Sequence, residues 1–178
     1  MANNELTHYG ILGMKWGVRR YQNPDGSLTE VGKKRVGKIA KSAGRSYATS
    51  ANIRKDTLKV VRESKKSAKE AEEFSREHAK KGNKIRSWIG AASAYYNKQD
   101  AKEMRSIGLK DAKRWIEYGD YRKQKAYDFV DKYNKGNKKT KKLVDATIQQ
   151  YSNTSYKLFT TNYQNDLKKQ VQGIRAVR

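Results

Sequence analysis

The chain contains one proline, Pro24, and no other follows through residue 178. Proline locks φ and removes a backbone donor, so its absence leaves everything beyond the first turn open to uninterrupted helix. Apolar residues there recur at three- and four-residue steps and do not alternate, which is the helical period. The expectation is an all-α fold of four to five helices. The first is long and basic, and an aromatic-rich helical core occupies the C-terminal half.

The breaks come from turn and cap chemistry. Asn23-Pro24-Asp25-Gly26 is a turn signal, because Pro presets φ and Gly accepts positive φ. Ser27 and Thr29 are candidate N-caps, with Glu30 well placed near the positive end of a helix dipole. Residues 30–81 then read as one long or once-broken helix, weakened at its start by Gly32, Gly37 and Gly44. Its apolar stripe is sparse: Val36, Ile39, Ala40, Ala43, Tyr47, Ile53, Leu58 and Val61. From Lys65 to Lys81 only Phe74 is a large apolar group, which suggests a solvated helix projecting from the core or lying across it.

Gly82-Asn83 matches C-cap chemistry. A second helix over 84–106 shows a face of Ile85, Trp88, Ile89, Ala92 and Tyr96, and Ile107-Gly108 reads as its stop. A third helix starts near Leu109, carries Ala112, Trp115 and Ile116, and breaks or kinks at Gly119. It resumes through Ala126, Phe129, Val130 and Tyr133. Asn134-Lys135-Gly136-Asn137 is the next break. The last stripe is Val144, Ile148, Tyr151, Ser155, Leu158 and Asn162, and 155–163 is the one segment with strand-like composition. This divides the chain into a Gly- and aromatic-rich module or arm over 1–28, a long basic helix over 29–81, and a helical core domain over 84–178. Tyr95, Tyr96, Trp115, Tyr118, Phe129, Tyr133, Tyr151 and Phe159 are the expected core aromatics.

Charge bears on function. Lys and Arg number 41 against 18 Asp and Glu, a formal charge of +23. Such an excess destabilises the compact state by self-repulsion unless a partner supplies negative charge. Nucleic acid is the commonest such partner, then an anionic membrane surface, then an acidic protein face. The membrane reading is the weaker one here, because the long basic helix lacks a strong opposing apolar face. Absence of cysteine excludes disulfides and thiolate metal sites. No apolar run approaches the ~20 residues of a membrane span, and the first ten residues lack a secretory signal pattern, so an intracellular protein is expected.

Three basic clusters carry the polyanion reading. Lys33, Lys34, Arg35, Lys38, Lys41 and Arg45 open the long helix, and Lys33, Lys34, Lys38, Lys41 and Arg45 share a broad polar face. Lys55, Lys59, Arg62 and Lys66 continue such a face. Lys135, Lys138, Lys139, Lys141 and Lys142 form a loop cluster with no acid among them. Phosphate contact by such groups predicts steep salt dependence. An ordinary solvated surface is the alternative for any one cluster.

Residues 6–29 read Leu-Thr-His-Tyr-Gly-Ile-Leu-Gly-Met-Lys-Trp-Gly-Val-Arg-Arg-Tyr-Gln-Asn-Pro-Asp-Gly-Ser-Leu-Thr. This stretch resembles a short N-terminal module of phage and prophage proteins, marked by a His-Tyr-Gly-x-x-Gly-Met-Lys-Trp-Gly-Val-Arg-Arg-Tyr-Gln-Asn core and an Asp-Gly-Ser-Leu-Thr turn. The resemblance covers about the first 35 residues and implies phage origin without fixing an activity. Gly10, Gly13 and Gly17 permit close backbone approach. Trp16 and Tyr21 beside Lys15, Arg19 and Arg20 form the combination that stacks on bases or grips phosphates. Docking of Trp16 on the protein's own core, or recognition as a tag by a phage structural protein, are the alternatives.

Catalysis has little support. His8 and His78 are far apart, and neither has metal-ligand spacing. Asp111, Glu117, Asp120, Asp128 and Asp131 could in principle gather on Mg²⁺, but their helical spacing among lysines favours ion pairs. The expectation is a non-enzymatic phage accessory protein, without cofactor or metal, that binds DNA, RNA or a nucleoprotein. Phage origin and positive charge point to counter-defence of the anti-CRISPR type, against a Cas9–guide-RNA complex in the host bacterial cytoplasm. The alternative is a virion- or head-associated protein, packaged with DNA or held by a phage head protein.

Overall fold

A computed structural model of the chain describes residues 20–153 and 163–177. Four helices lie in them: α1 (Glu30–Lys80), α2 (Lys84–Asn134), α3 (Lys138–Ser152) and α4 (Tyr163–Val177). No strand occurs among the described residues. A lone antiparallel bridge, Gln22 to Leu28, closes the first turn. Of the strand candidate, 155–162 lies outside the described residues, and Tyr163 opens α4.

Local chemistry sets the helix ends. The Thr29 side chain accepts from the Gly32 N–H at 3.1 Å and donates to the Arg20 carbonyl at 2.8 Å. One residue thus caps α1 and ties down the chain entering it. Gly82 takes a positive φ of 72° after α1, and Asn83 caps α2 by accepting from the Arg86 N–H at 3.1 Å. Lys135 (φ 48°) and Gly136 (φ 67°) reverse the chain after α2. Asn137 then accepts from the N–H groups of Lys139 and Thr140 to start α3.

Helices α1 and α2, 51 residues each, form a long antiparallel hairpin. Ser75 Oγ donates to the Ser87 carbonyl near the connection, and Ser50 Oγ donates to the Ala112 carbonyl nearer the other end. The seam is built from small residues at seven-residue steps. On α2 these are Ala94, Ala101 and Gly108, then Ala112, Gly119 and Ala126. Facing them on α1 are Ala43, Ser50, Thr57, Ser64 and Ala71. A sustained seven-residue repeat keeps one stripe on the partner, as in a coiled coil.

This corrects the expected stop at Ile107-Gly108 and the break at Gly119, because α2 is continuous through both. A methyl group on Gly108 would lie 2.0 Å from Thr57 Oγ1, and one on Gly119 would lie 2.7 Å from the Tyr47 ring. These glycines sit where the helices press together. Their low helix propensity is a local cost of about 1 kcal/mol each that close packing outweighs. The segment 65–81 does not project alone either. It pairs with the start of α2, with Ala68 buried and Glu72 ion-paired to Lys98.

Helix α3 lies beside the start of α1, so close that a methyl on Gly44 would fall 2.5 Å from the Ile148 carbonyl oxygen. Leu28, Val36, Ala40, Ala43, Ala126, Val130, Val144 and Ile148 form one core there. Helix α4 covers the middle of the hairpin, where Val60, Val61, Ala101, Met104, Leu167 and Val171 form a second.

Both cores are made of small and branched aliphatics more than of rings. Tyr95, Tyr96 and Tyr118 are exposed; Trp115, Phe129, Tyr133 and Tyr151 are half-buried; Phe159 lies outside the described residues. The expected face of Ile85, Trp88, Ile89 and Tyr96 points largely to solvent, and Leu58 is exposed while Ser50 and Thr57 are buried. The reason is steric: a seam of Gly, Ala, Ser and Thr brings the backbones close, so rings lie on its flanks except where Gly119 makes room for Tyr47. No helix among the described residues is long and apolar enough to cross a membrane.

Candidate nucleic-acid interface

The chain reversals gather three basic segments at one end of the molecule. Arg20 sits at the entry to α1, Lys33 to Arg45 run up α1, and Lys135 to Lys142 follow the reversal into α3. Because α3 runs beside α1 in the same direction, a groove of about 270 Å³ opens between them. Its lining includes Leu28, Lys33, Gly37, Thr140, Leu143 and Thr147.

Lys34, Lys38, Lys41 and Arg45 follow one another at 4-3-4 spacing and form a ridge along α1. Lys41 and Arg45 are steadied from below by the Tyr151 ring of α3, at 4.6 and 5.9 Å from its centroid. Lys139 stands one turn before the exposed Leu143 on α3. Lys34, Lys38, Lys138, Lys139 and Lys142 form no ion pair among the described residues.

Other members of the set have partners. Lys33 pairs with Glu30 at 2.8 Å, and that hydrogen bond holds the exposed Glu30 carboxyl below the usual range. Lys141, half-buried, pairs with Asp131 at 2.7 Å and lies 5.5 Å from the Tyr127 ring centroid. Asp131 precedes the cluster in sequence, so a lysine that stands apart from acids along the chain meets one across the reversal. The Lys135 side chain runs beside Gly26, where Asp25 feels its charge. Backbone and hydroxyl hydrogen bonds from Ser27 are the main reason the Asp25 carboxyl sits below its ordinary range. Lys138, Lys139, Lys141 and Lys142 belong to the first turns of α3, not to a loop.

Arg35, at the other flank of α1 from the ridge, is exposed. Tyr21 is an internal anchor: its ring meets Phe129 and Tyr133 edge-on at 5.2 and 5.3 Å, while the Arg20 guanidinium lies 5.3 Å from the Tyr21 centroid. Lys15, Trp16 and Arg19 lie outside the described residues. Sequence reasoning passed over Tyr151 as a support for the ridge and Leu143 as the groove's exposed apolar wall. Both follow from α3 lying on α1, a contact between distant segments.

The acidic candidates do not converge. Asp111 accepts from the Tyr163 hydroxyl at 3.0 Å, Asp120 from Tyr47 at 2.7 Å, and Asp128 from Gln124 at 2.8 Å. Glu117 faces Lys113 at 3.8 Å. Burial, then the bond to the neighbouring carboxylate, pushes the Tyr47 and Tyr163 hydroxyls well above the ordinary tyrosine range. Among the described residues no three His, Asp or Glu side chains gather as a metal site. His78 packs against the Phe74 ring.

A family model described as a family of unknown function, DUF7211, matches residues 1–23. No curated protein and no solved structure matches the chain. The matched segment overlaps the described fold at residues 20–23, where Tyr21 is already packed on α2.

Proposed function

We propose that this protein is a non-catalytic binder of nucleic acid, free or within a nucleoprotein, and that the basic end formed by α1 and α3 is its contact surface. One observation carries the reading. The tertiary fold brings lysines from two distant segments that form no ion pair among the described residues, Lys34 and Lys38 with Lys138, Lys139 and Lys142, to the same end of the molecule. Lysines held on rigid helices meet phosphates without much loss of backbone freedom, and each phosphate so neutralised releases counterions from the polyanion. The groove beside the ridge has an apolar wall, Leu28, Val144 and the exposed Leu143, able to receive an unstacked base or an apolar side chain.

The test is binding of labelled RNA, single-stranded DNA and duplex DNA across a salt series. Wild type should bind in dilute buffer with affinity falling steeply as salt rises. Replacing Lys34, Lys38, Lys139 and Lys142 by Gln should flatten the log–log salt slope by up to about 0.9 for each duplex phosphate left without its lysine. A chain that ignores all three polymers, or a variant that binds as wild type does, overturns the proposal.

The phage resemblance of the N-terminus makes a Cas9–guide-RNA complex the first nucleoprotein to try, and the counter-defence role is proposed on that resemblance. A pull-down from cells expressing that complex, with and without nuclease, separates a protein target from a nucleic-acid one. If the N-terminal module instead tethers the chain to a phage head protein, removing residues 1–19 abolishes virion incorporation while leaving nucleic-acid binding in place. The cut belongs before Arg20, because Tyr21 and Leu28 are packed into the fold.

A further inference from the structure

The opposite end of the hairpin carries a surface that the basic groove does not explain. Ile85, Trp88, Ile89, Ala92 and Tyr96 follow the helical period along the first four turns of α2, with Tyr95 beside them. They lie on the far side of α2 from Gly90, Ala94 and Ala101, the residues that face α1. Ile85 is 74 % exposed, Trp88 71 %, Ile89 51 % and Tyr95 59 %. Helix α4 meets this stripe at its last turn, where Arg175 lies 5.0 Å from the Tyr96 ring centroid and pairs with Asp100.

The start of α2 is therefore amphipathic twice over. One face is small and packs on α1. The other is bulky, apolar and in solvent. Around the start of the stripe the exposed charge is mainly cationic: Lys80, Lys84 and Arg86 form no ion pair among the described residues, while Lys81 and Lys98 pair with Glu77 and Glu72; at its far end Asp100 and Glu103 share a hollow with Tyr95, Tyr96 and Arg175. The opposing apolar face that the long basic helix lacks is thus present on its neighbour.

We propose that this face of α2 seats on an anionic lipid bilayer, with Ile85, Trp88 and Ile89 entering the headgroup–acyl boundary and the surrounding lysines and arginine meeting lipid phosphates. Three features choose this occupant. Two isoleucines flank the tryptophan, and aliphatic groups gain from hydrocarbon but have no π-face for a base, so nucleic acid is disfavoured here. At the Ile85–Ile89 end the bordering charges without an ion pair among the described residues, Lys80, Lys84 and Arg86, are all cations, which opposes a second copy of the chain there and complements an anionic surface. The stripe is a convex ridge on a two-helix arm, which a fluid interface accepts without a preformed groove. Trp and Tyr are the side chains that partition to such interfaces.

The experiment uses the full chain and vesicles of equal parts phosphatidylcholine and phosphatidylglycerol, assayed by flotation in dilute buffer and in about 0.5 M salt, where exposed charges are largely screened. The double variant Trp88→Ser, Ile89→Ser leaves the charge and the α1/α3 end unchanged. Wild type should keep a salt-resistant bound fraction. The variant should lose it, with affinity reduced roughly tenfold or more. Brominated acyl chains should quench part of the wild-type tryptophan emission, and that part should vanish in Trp88→Phe. Thermal unfolding checks that both variants are folded, and unchanged RNA or DNA binding separates this surface from the proposed nucleic-acid site. Equal vesicle binding by variant and wild type in high salt overturns the proposal. So does wild type that ignores the vesicles. Dimerisation that the double variant abolishes also overturns it, in favour of a second copy as the occupant.

Discussion

Gly108 and Gly37 both interrupt helical sequence, yet they do opposite things. A methyl on Gly108 would meet Thr57 Oγ1 at 2.0 Å, so the two helices must part to admit it. Gly37 has nothing within 4 Å of the corresponding position. Replacing Gly37 by Ala should therefore raise stability by up to about 1 kcal/mol, the helix-propensity difference. Gly108→Ala should lower it by about 1–2 kcal/mol, because overpacking outweighs the propensity gain. Urea unfolding of the two variants measures both; a stabilised Gly108→Ala would mean that the hairpin seam has room for a methyl group. Tyr163 adds a pH dependence. Its folded hydroxyl titrates above the ordinary value of 10, chiefly through burial and then through Asp111, so its neutral form is favoured in the fold. The resulting stability is present in full below pH 10 and is lost as the pH rises past it. Tyr163→Phe, which removes the bond to Asp111, should be less stable by about 1 kcal/mol near neutrality. The gap should narrow on titration from about pH 8 to about pH 11, as tyrosinate forms in the unfolded wild type.

The two long helices are unevenly supported. From Glu30 to about Val61, α1 has α2 on one side and α3 or α4 on another, and most buried side chains lie there. Toward the connection the described residues form a two-helix arm whose buried residues are few and small: Ala68, Gly90 and Ala94. Local opening costs least where little apolar surface is buried. Amide hydrogens of residues 70–95 should therefore exchange through local opening, well before those of residues 40–60 and 104–130. Uniform protection along α1 and α2, measured by hydrogen exchange, would show that the hairpin opens only as a unit. The same uneven support explains why the apolar stripe of α2 is exposed: among the described residues no third helix extends far enough to bury it.

Across the whole molecule the excess charge sets the conditions. Ten ion pairs are made among the described residues, several within single helices, and with +23 on the chain they leave most cations uncompensated. Self-repulsion of exposed charges is relieved by screening, whose length falls to about 8 Å at physiological salt. Thermal midpoints should rise as NaCl increases from about 10 mM to about 300 mM, and a nucleic-acid oligomer should raise them at much lower ionic strength by binding the folded state. A midpoint that falls with salt would mean that the surface pairs dominate over the repulsion.

Much of the architecture could be read along the chain because it rests on near neighbours. The turn at Asn23-Pro24-Asp25-Gly26, the Thr29 cap, the Gly82-Asn83 reversal and the break at 134–137 depend on hydrogen bonds between groups a few residues apart. The helical class follows from period and from the lack of proline. What lay beyond reach is which helical face is inside. Hydrophobicity argued for Ile85, Trp88 and Tyr96, yet packing chose Gly90, Ala94 and Ala101, because a long antiparallel pair gains more from close backbone approach than rings can supply in a narrow seam. Gly108 read as a stop for the same reason: its value lies in the absence of a side chain opposite Thr57, fifty-one residues away. The joining of Lys34 and Lys38 with Lys139 and Lys142 likewise depends on α3 folding back along α1. Local bonding chose the elements, while non-local packing decided their faces and neighbours, and with them both candidate surfaces.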